Sequence, residues 1–221
     1  MTNEKELKMD SHRREFRENN YIYLKRQAEE LLIFAEKHKN SNALIYACLD
    51  SRIALETLDL KKILLSADSS EIATIIEDSK PKNGIEKIGK KQGSLKEKYQ
   101  LFYQAVCEIL GVNDKYYDFK ASKELQHKLS TYIHSYYMTQ EEINYDSEIM
   151  QNAILLINEV HNFIKSSLYF DGKEWVAHGT KIATIPEDDK ILLEEWKNNS
   201  KMEYDELKLK LKENLMFREK K

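Results

Sequence analysis

Glycine and proline are scarce in this chain, with 6 and 2 among 221 residues. Both fall well below average usage, which argues against a turn-rich β protein. Cysteine is as rare. Cys48 and Cys107 sit among apolar neighbours in "LIYACLDS" and "FYQAVCEIL". That pattern reads as two buried thiols, not a disulfide framework or a metal site. No apolar run approaches the roughly 18 residues needed to span a bilayer. The opening "MTNEKELKMDSHRREFRENN" lacks the apolar stretch of a signal peptide, so a cytoplasmic protein with no membrane partner is expected. An excess of one charge is missing too. Against 35 basic side chains stand 38 acidic ones, a formal net charge of −3, so no global field draws the chain to nucleic acid. Any basic site has to be local. What is plentiful is apolar and charged residues together, 41% and 33%, enough to fill a core and wet its surface.

Residues 1–20 alternate charges around few apolar anchors (Leu7, Met9, Phe16) and are expected to be loosely ordered. From Tyr21 to His38, Leu24, Ala28, Leu31, Leu32 and Ala35 recur at helical spacing. "KNSN" breaks the pattern, and Ser41 or Asn42 can cap the helix that follows. That helix, about 42–66, carries a narrow small-residue face of Leu44, Ala47, Cys48, Ser51, Leu55 and Leu58. "ADSSEIATIIED" reads as a short Ser-capped helix, and "SKPKNGIEKIGKKQGS" as the main loop. Further helices are expected over about 94–110, stopped by Gly111, then about 120–138 and about 146–168. "YFDGKEWVAHGTKIATIP" has the one β-like composition, with Trp175 and His178 as packing contacts, and the tail from Glu187 reads as two short charged helices. The fold expected is all-α: a helical bundle of five to six helices over 21–168, with a short, mostly helical C-terminal appendage over 169–221.

"GIEKIGKK", Gly84 to Lys91, nearly spells a phosphate loop. Lys91 occupies the place of the hydroxyl that would bind magnesium, and no strand precedes it, so that reading fails. The stretch is still locally basic, with Lys80, Lys82, Lys87, Lys90, Lys91, Lys96 and Lys98 facing only Glu86 and Glu97. Lys90 and Lys91 are therefore candidate phosphate contacts, although such runs are more often solvated surface. Arg52 in "LDSRIALE" stands on the shoulder of the most apolar helix with Glu56 one turn on. It reads either as a structural ion pair or as a guanidinium aimed at a phosphate. In "HKLSTYIHSYYM", helical geometry puts Leu125, Leu129, Tyr132, Ile133 and Tyr136 on one face. Lys123, His127, Ser130 and His134 lie on roughly the opposite side, which reads either as an ordinary wet helix face or as a stripe whose imidazoles serve proton transfer. A metal pair would prefer i, i+4 spacing, and no metal or other cofactor is expected. His161 could face core or solvent.

The run from "SNALIYACLDSRIALETLDL" through "KLSTYIHSYYM" to "NAILLINEVHNFIKSSL" resembles the HEPN superfamily (higher eukaryotes and prokaryotes nucleotide-binding). These are helical-bundle domains of bacterial toxin–antitoxin and phage-defence systems, and the likeness covers about Tyr21 to Leu168. It implies a homodimer that cleaves RNA without a metal: the 2′-hydroxyl attacks the adjacent phosphorus while His and Arg handle proton and charge. The family's active members carry an Arg, about four to six intervening residues, then His. Here lysine stands in that relation, as Lys128 before His134, Lys120 before His127 and Lys173 before His178. The resemblance implies His134 as the family histidine, with His127, Arg52 and Glu56 lining the same cleft and Lys120 and Lys128 meeting phosphate. Two functions are expected from it: a metal-independent endoribonuclease acting on RNA or nucleotides, or a catalytically silent module for dimerisation or for binding a cognate protein partner.

Overall fold

In a computed structural model, residues 20–65, 72–81, 84–111, 117–167, 186–198 and 201–219 are described, without the side chains of 20, 65, 72, 85–86, 89–96 and 219. Over these residues the chain is all-α, with nine α-helices and no strand. They are α1 (Asn20–His38), α2 (Ser41–Leu65), α3 (Ile72–Ser79), α4 (Gly84–Leu110), α5 (Phe119–Ile133), α6 (Gln140–Ile143), α7 (Glu148–Ser166), α8 (Glu187–Asn198) and α9 (Tyr204–Glu219). A 3₁₀ turn, Ser135–Tyr137, joins α5 to α6. The segment with β-like composition (through residue 185) and residues 1–19, on which the expectation of loose order falls, lie outside the described residues. No helix among the described residues is long and apolar enough to cross a membrane.

The chain divides into two compact units, Met1–Lys61 with Asp118–Ser167, and Lys62–Tyr117 with Leu168–Lys221. This differs from the expected bundle over 21–168 with the rest appended. In the first unit α1 and α2 are joined by two residues. Lys39 takes the left-handed conformation (φ 50°), and the Asn40 N–H donates to Ala35 O at 3.0 Å. Together these close α1 with a Schellman-type turn. The side chain of Asn40 accepts from Ala43 N–H at 3.0 Å, so the α2 cap is Asn40 rather than Ser41 or Asn42. Lysine is an unusual residue at a left-handed position. Here its ammonium lies 4.7 Å from the Tyr145 ring centroid and 3.4 Å from the Asp146 carboxylate.

All six residues expected on the α2 face are fully buried. On α7, Met150, Ala153, Ile157, Val160 and Ile164 recur at helical spacing and are buried. Ser147 starts that helix by accepting from Met150 N–H at 3.2 Å. α7 packs against α1, α5 and α6. α5 contributes Leu125 and Leu129, each worth about 1.5–3 kcal/mol if fully removed from water. A polar key fixes the same face: Gln126 donates to Asp59 Oδ2 at 2.8 Å and to Ser122 Oγ at 3.1 Å.

In the second unit α4 is the axis, packed by α3, α8 and α9. Tyr99, Phe102, Ala105 and Val106 of α4 meet Leu192, Leu193 and Trp196 of α8, and Leu207 and Leu211 of α9. The tail helices complete this core, which is why they group with α4. Lys98 and Trp196 bind reciprocally. The Lys98 ammonium donates to Trp196 O at 2.6 Å, capping the end of α8, while Trp196 Nε1–H donates to Lys98 O at 2.8 Å. Asp189, buried near the start of α8, is held by Arg218 Nη2 at 2.8 Å and by Asn214 at 2.8 Å. Burial still pushes its carboxyl above the usual range, against the pull of those two donors.

The expected loop before residue 94 is helix from Gly84 onward. A Cβ on Gly84 would stand 2.6 Å from Ser79 O and collide with Asp78 O as well. Glycine is needed there because the end of α3 passes against the start of α4, and residues 84–91 are not a phosphate loop. Gly111 serves a different need, taking φ +65° just after α4, as expected of a helix stop. Both glycines should lose stability when replaced by alanine, for different reasons. An alanine at an ordinary helical site stabilises by about 0.5–1 kcal/mol. Gly84→Ala is expected to destabilise by about 1–3 kcal/mol through overpacking, and Gly111→Ala by about 1–2 kcal/mol through backbone conformation. Urea unfolding of both variants checks this, and a gain in stability at position 84 would contradict the close approach.

Candidate functional site

Because Ser122, Leu125 and Leu129 are buried, the opposite side of α5 has to face water. Asp118 fixes where the helix begins, accepting from the Lys120 and Ala121 N–H groups at 3.0 Å each. At 100° per residue, Lys120, His127 and Thr131 fall within about 40° of one another on the wheel, with Lys123 beside them. All four are exposed. Lys128 is exposed as well, with its ammonium 3.9 Å from the Glu159 carboxylate of α7.

His134 departs from expectation. α5 ends at Ile133, and His134 is its cap residue, with φ −91° and ψ 49°, tied back by its N–H to Ser130 O at 3.1 Å. Its side chain is exposed, like that of His127. Neither imidazole has a hydrogen-bond or ion-pair partner among the described residues. The expected helix over 120–138 is therefore too long, and the departure relocates Tyr136. Placed inward by helical periodicity, it stands on the 3₁₀ turn and is 88% exposed. Of the other residues expected on that inner face, Leu125 and Leu129 are buried, while Tyr132 and Ile133 are half-buried. "TQEE" carried the missed signal. Thr139 and Glu142 form a capping box that opens α6, so the preceding helix has to stop earlier.

Arg52 and Glu56 are brought together, with Arg52 Nε donating to Glu56 Oε1 at 3.0 Å and side chains 33% and 37% exposed. A pair this wet contributes roughly 0.3–0.5 kcal/mol. No hydrogen bond or ion pair joins Arg52 to either histidine among the described residues. Lys90 and Lys91 lie on α4, in the other unit, and their side chains are outside the description, as are Lys173 and His178. The basic run they belong to is partly structural. Lys98 caps α8, and Lys80 pairs with Glu77 at 2.6 Å. Cys48 and Cys107 are buried and in no disulfide, as expected, and burial pushes Cys48 up to about 12, so it is no nucleophile near neutral pH.

One titratable group is buried that sequence reasoning left open. His161 on α7 is 7% exposed, and its Nε2 has no hydrogen-bond partner among the described residues. Its Nδ1 lies 3.9 Å from Glu29 Oε1 of α1, and Glu29 itself pairs with Lys25. Only the i, i+4 spacing of His161 from Ile157 and its neighbour Val160 hinted at the core face.

No protein-family model matches the chain, and neither does any curated protein or solved structure.

Burial pushes His161 down to about 4, helped by Lys25 and opposed by Glu29. In the unfolded chain a histidine titrates near 6.5. Below that pH the unfolded state gains a proton that the folded state refuses, so stability present above about 6.5 is lost as the pH falls towards about 4. The loss is expected to be on the order of 2–3 kcal/mol. Denaturant unfolding of wild type and His161→Leu at about pH 7 and about pH 4.5 checks it. The wild type should lose more stability than the variant, and equal losses would contradict a neutral buried imidazole.

Proposed function

We propose that the chain is a HEPN-like protein that acts on RNA through the outer face of α5, as a metal-independent endoribonuclease in a toxin or phage-defence setting. One observation carries this reading: His127 on the outer face of α5 and His134 at its C-terminal cap are both exposed, without side-chain partners among the described residues, and Lys120, Lys123 and Lys128 stand exposed on the same helix beside Glu124. That is the inventory needed for transesterification. One imidazole takes the proton of the 2′-hydroxyl as its oxygen bonds to phosphorus. The P–O5′ bond then breaks, and an acid returns a proton to the leaving 5′-oxygen, giving a 2′,3′-cyclic phosphate and a 5′-hydroxyl. Lys120 and Lys128 supply positive charge at phosphate in place of the guanidinium that the family motif carries. Lysine does this as a point charge rather than a fork. A second copy of the chain, as the resemblance implies, brings a second such face to the same strand.

A second reading is favoured by Arg52. Its guanidinium is already engaged by Glu56, which leaves less of it for a phosphate. On that reading the protein is a catalytically silent module that keeps the bundle for dimerisation or for a cognate protein partner.

The two separate on RNA cleavage by wild type and His134→Ala in EDTA, from mildly acidic to mildly basic pH. The nuclease reading predicts cyclic-phosphate products that disappear in the variant by about 10²-fold or more, the usual weight of a general acid–base group. Because His134 is exposed at a helix end, the variant should unfold at the same denaturant concentration as wild type. Intact RNA with both proteins equally folded gives the silent module instead.

A further inference from the structure

Tyr136 and Tyr137 have no packing role that accounts for where they stand. They are 88% and 58% exposed, and they sit next to each other on the turn that follows His134. Tyr137 donates its hydroxyl hydrogen to Thr131 O at 3.2 Å. The two rings meet edge to face, with centroids 5.3 Å apart and an interplanar angle of 83°. The turn is bounded on one side by the last bond of α5 and on the other by the Thr139 capping box, where Thr139 N–H donates to Glu142 at 2.7 Å. Two aromatic faces are thus held in the open on a pre-organised loop. Scattered single aromatics are ordinary on a protein surface. A fixed pair at the end of a helix face that carries Lys120, Lys123 and Lys128 against one carboxylate, Glu124, is a specific combination, because cationic side chains to track a backbone and rings to stack on are the two parts of a single-strand site.

We infer that Tyr136, supported by Tyr137, is a base-stacking platform for a single-stranded nucleic acid whose phosphates run along Lys120, Lys123 and Lys128. This rests on the preceding reading only in taking the α5 face to meet nucleic acid; it does not need cleavage. Along the axis, Lys120 to His134 spans about 21 Å at 1.5 Å per residue. That is room for the small end of single-strand site sizes, about four nucleotides. A duplex does not suit the arrangement, since its bases are already stacked on one another. Stacking on Tyr136 would also draw the adjoining phosphate and ribose past His134, which lies two residues earlier.

The test uses the full chain and fluorescein-labelled oligothymidylate of about a dozen nucleotides, followed by anisotropy at low salt. A deoxy strand has no 2′-hydroxyl to attack phosphorus, so binding is read whether or not the protein is a nuclease. Wild type is expected to bind the single strand and to prefer it over a duplex of equal length. Tyr136→Ala should weaken binding at least about fivefold, the lower end for loss of one stacked base, while Tyr136→Phe stays near wild type. Lys120→Gln with Lys123→Gln should weaken binding and flatten its salt dependence. The proposal is overturned if Tyr136→Ala binds like wild type, if wild type does not bind the strand, or if polyglutamate displaces it as well as unlabelled oligothymidylate does. That last result would mark an acidic protein partner. Tyr136 is nearly fully exposed, so its variants should fold, and circular dichroism checks that they do.

Discussion

The rotation of α5 about its own axis is the constraint from which the surface chemistry of this protein follows. Leu125 and Leu129 turn that axis so that they are buried where α5 packs on α7. A rotation by one residue, about 100°, would bring imidazole and ammonium groups towards the core and leave leucines in water. The hydrophobic effect forbids that twice over, through lost burial and through desolvated charge. The Gln126–Asp59 hydrogen bond adds direction to a preference that is otherwise only greasy, since it can form in one register alone. Lys120, His127 and Thr131 share the outer face because their inner neighbours share the inner one.

The second unit obeys the same logic with a different axis. α4 has its own apolar stripe, and α8 and α9 cover it. Lys98 shows how a residue's role is decided by what passes near it. In a run of lysines it reads as solvated charge, but in the fold its ammonium bonds the Trp196 and Lys197 carbonyls of α8, and its own carbonyl accepts the Trp196 indole N–H. Asp189 is a comparable case. Three groups from α9 and α8 converge there, with Arg218 spanning Asp188 and Asp189. A buried carboxylate so enclosed holds two helices in register more than it adds net stability.

Periodicity made much of this legible beforehand. The α2 face was readable residue by residue, because Leu44, Ala47, Cys48, Ser51, Leu55 and Leu58 differ in size but agree in spacing. The all-α class followed from the dearth of glycine and proline. What escaped was set by local chemistry that periodicity cannot see. Asn40 ends one helix and starts the next, which a two-residue join allows only when one side chain caps the second. Gly84 looked like a loop residue because its reason for being glycine, the Asp78 and Ser79 carbonyls, lies on another helix. Tyr136 was placed inward because the helix was carried four or five residues too far, although the Thr139–Glu142 box marked where it had to end. For the candidate site, the i, i+4 spacing of Arg52 and Glu56 made their contact readable, and it forms, whereas the place of His134 at a helix cap was not readable from periodicity. Spacing from Ile157 hinted that His161 faces the core, but nothing in the sequence marked its Nε2 as buried without a hydrogen-bond partner among the described residues.

The central claim is that the outer face of α5 is the working surface, and the histidines offer a direct reading of it. The chain has six, of which His127 lies on that face, His134 caps the end of α5 and His161 is buried in α7. Imidazole ring signals followed by NMR during addition of a short single-stranded RNA distinguish these positions within one sample. The account predicts that the His127 and His134 signals move together and saturate together, while His161 stays in place. Unmoved signals at His127 and His134 as the RNA binds would contradict it, and would place the working surface elsewhere.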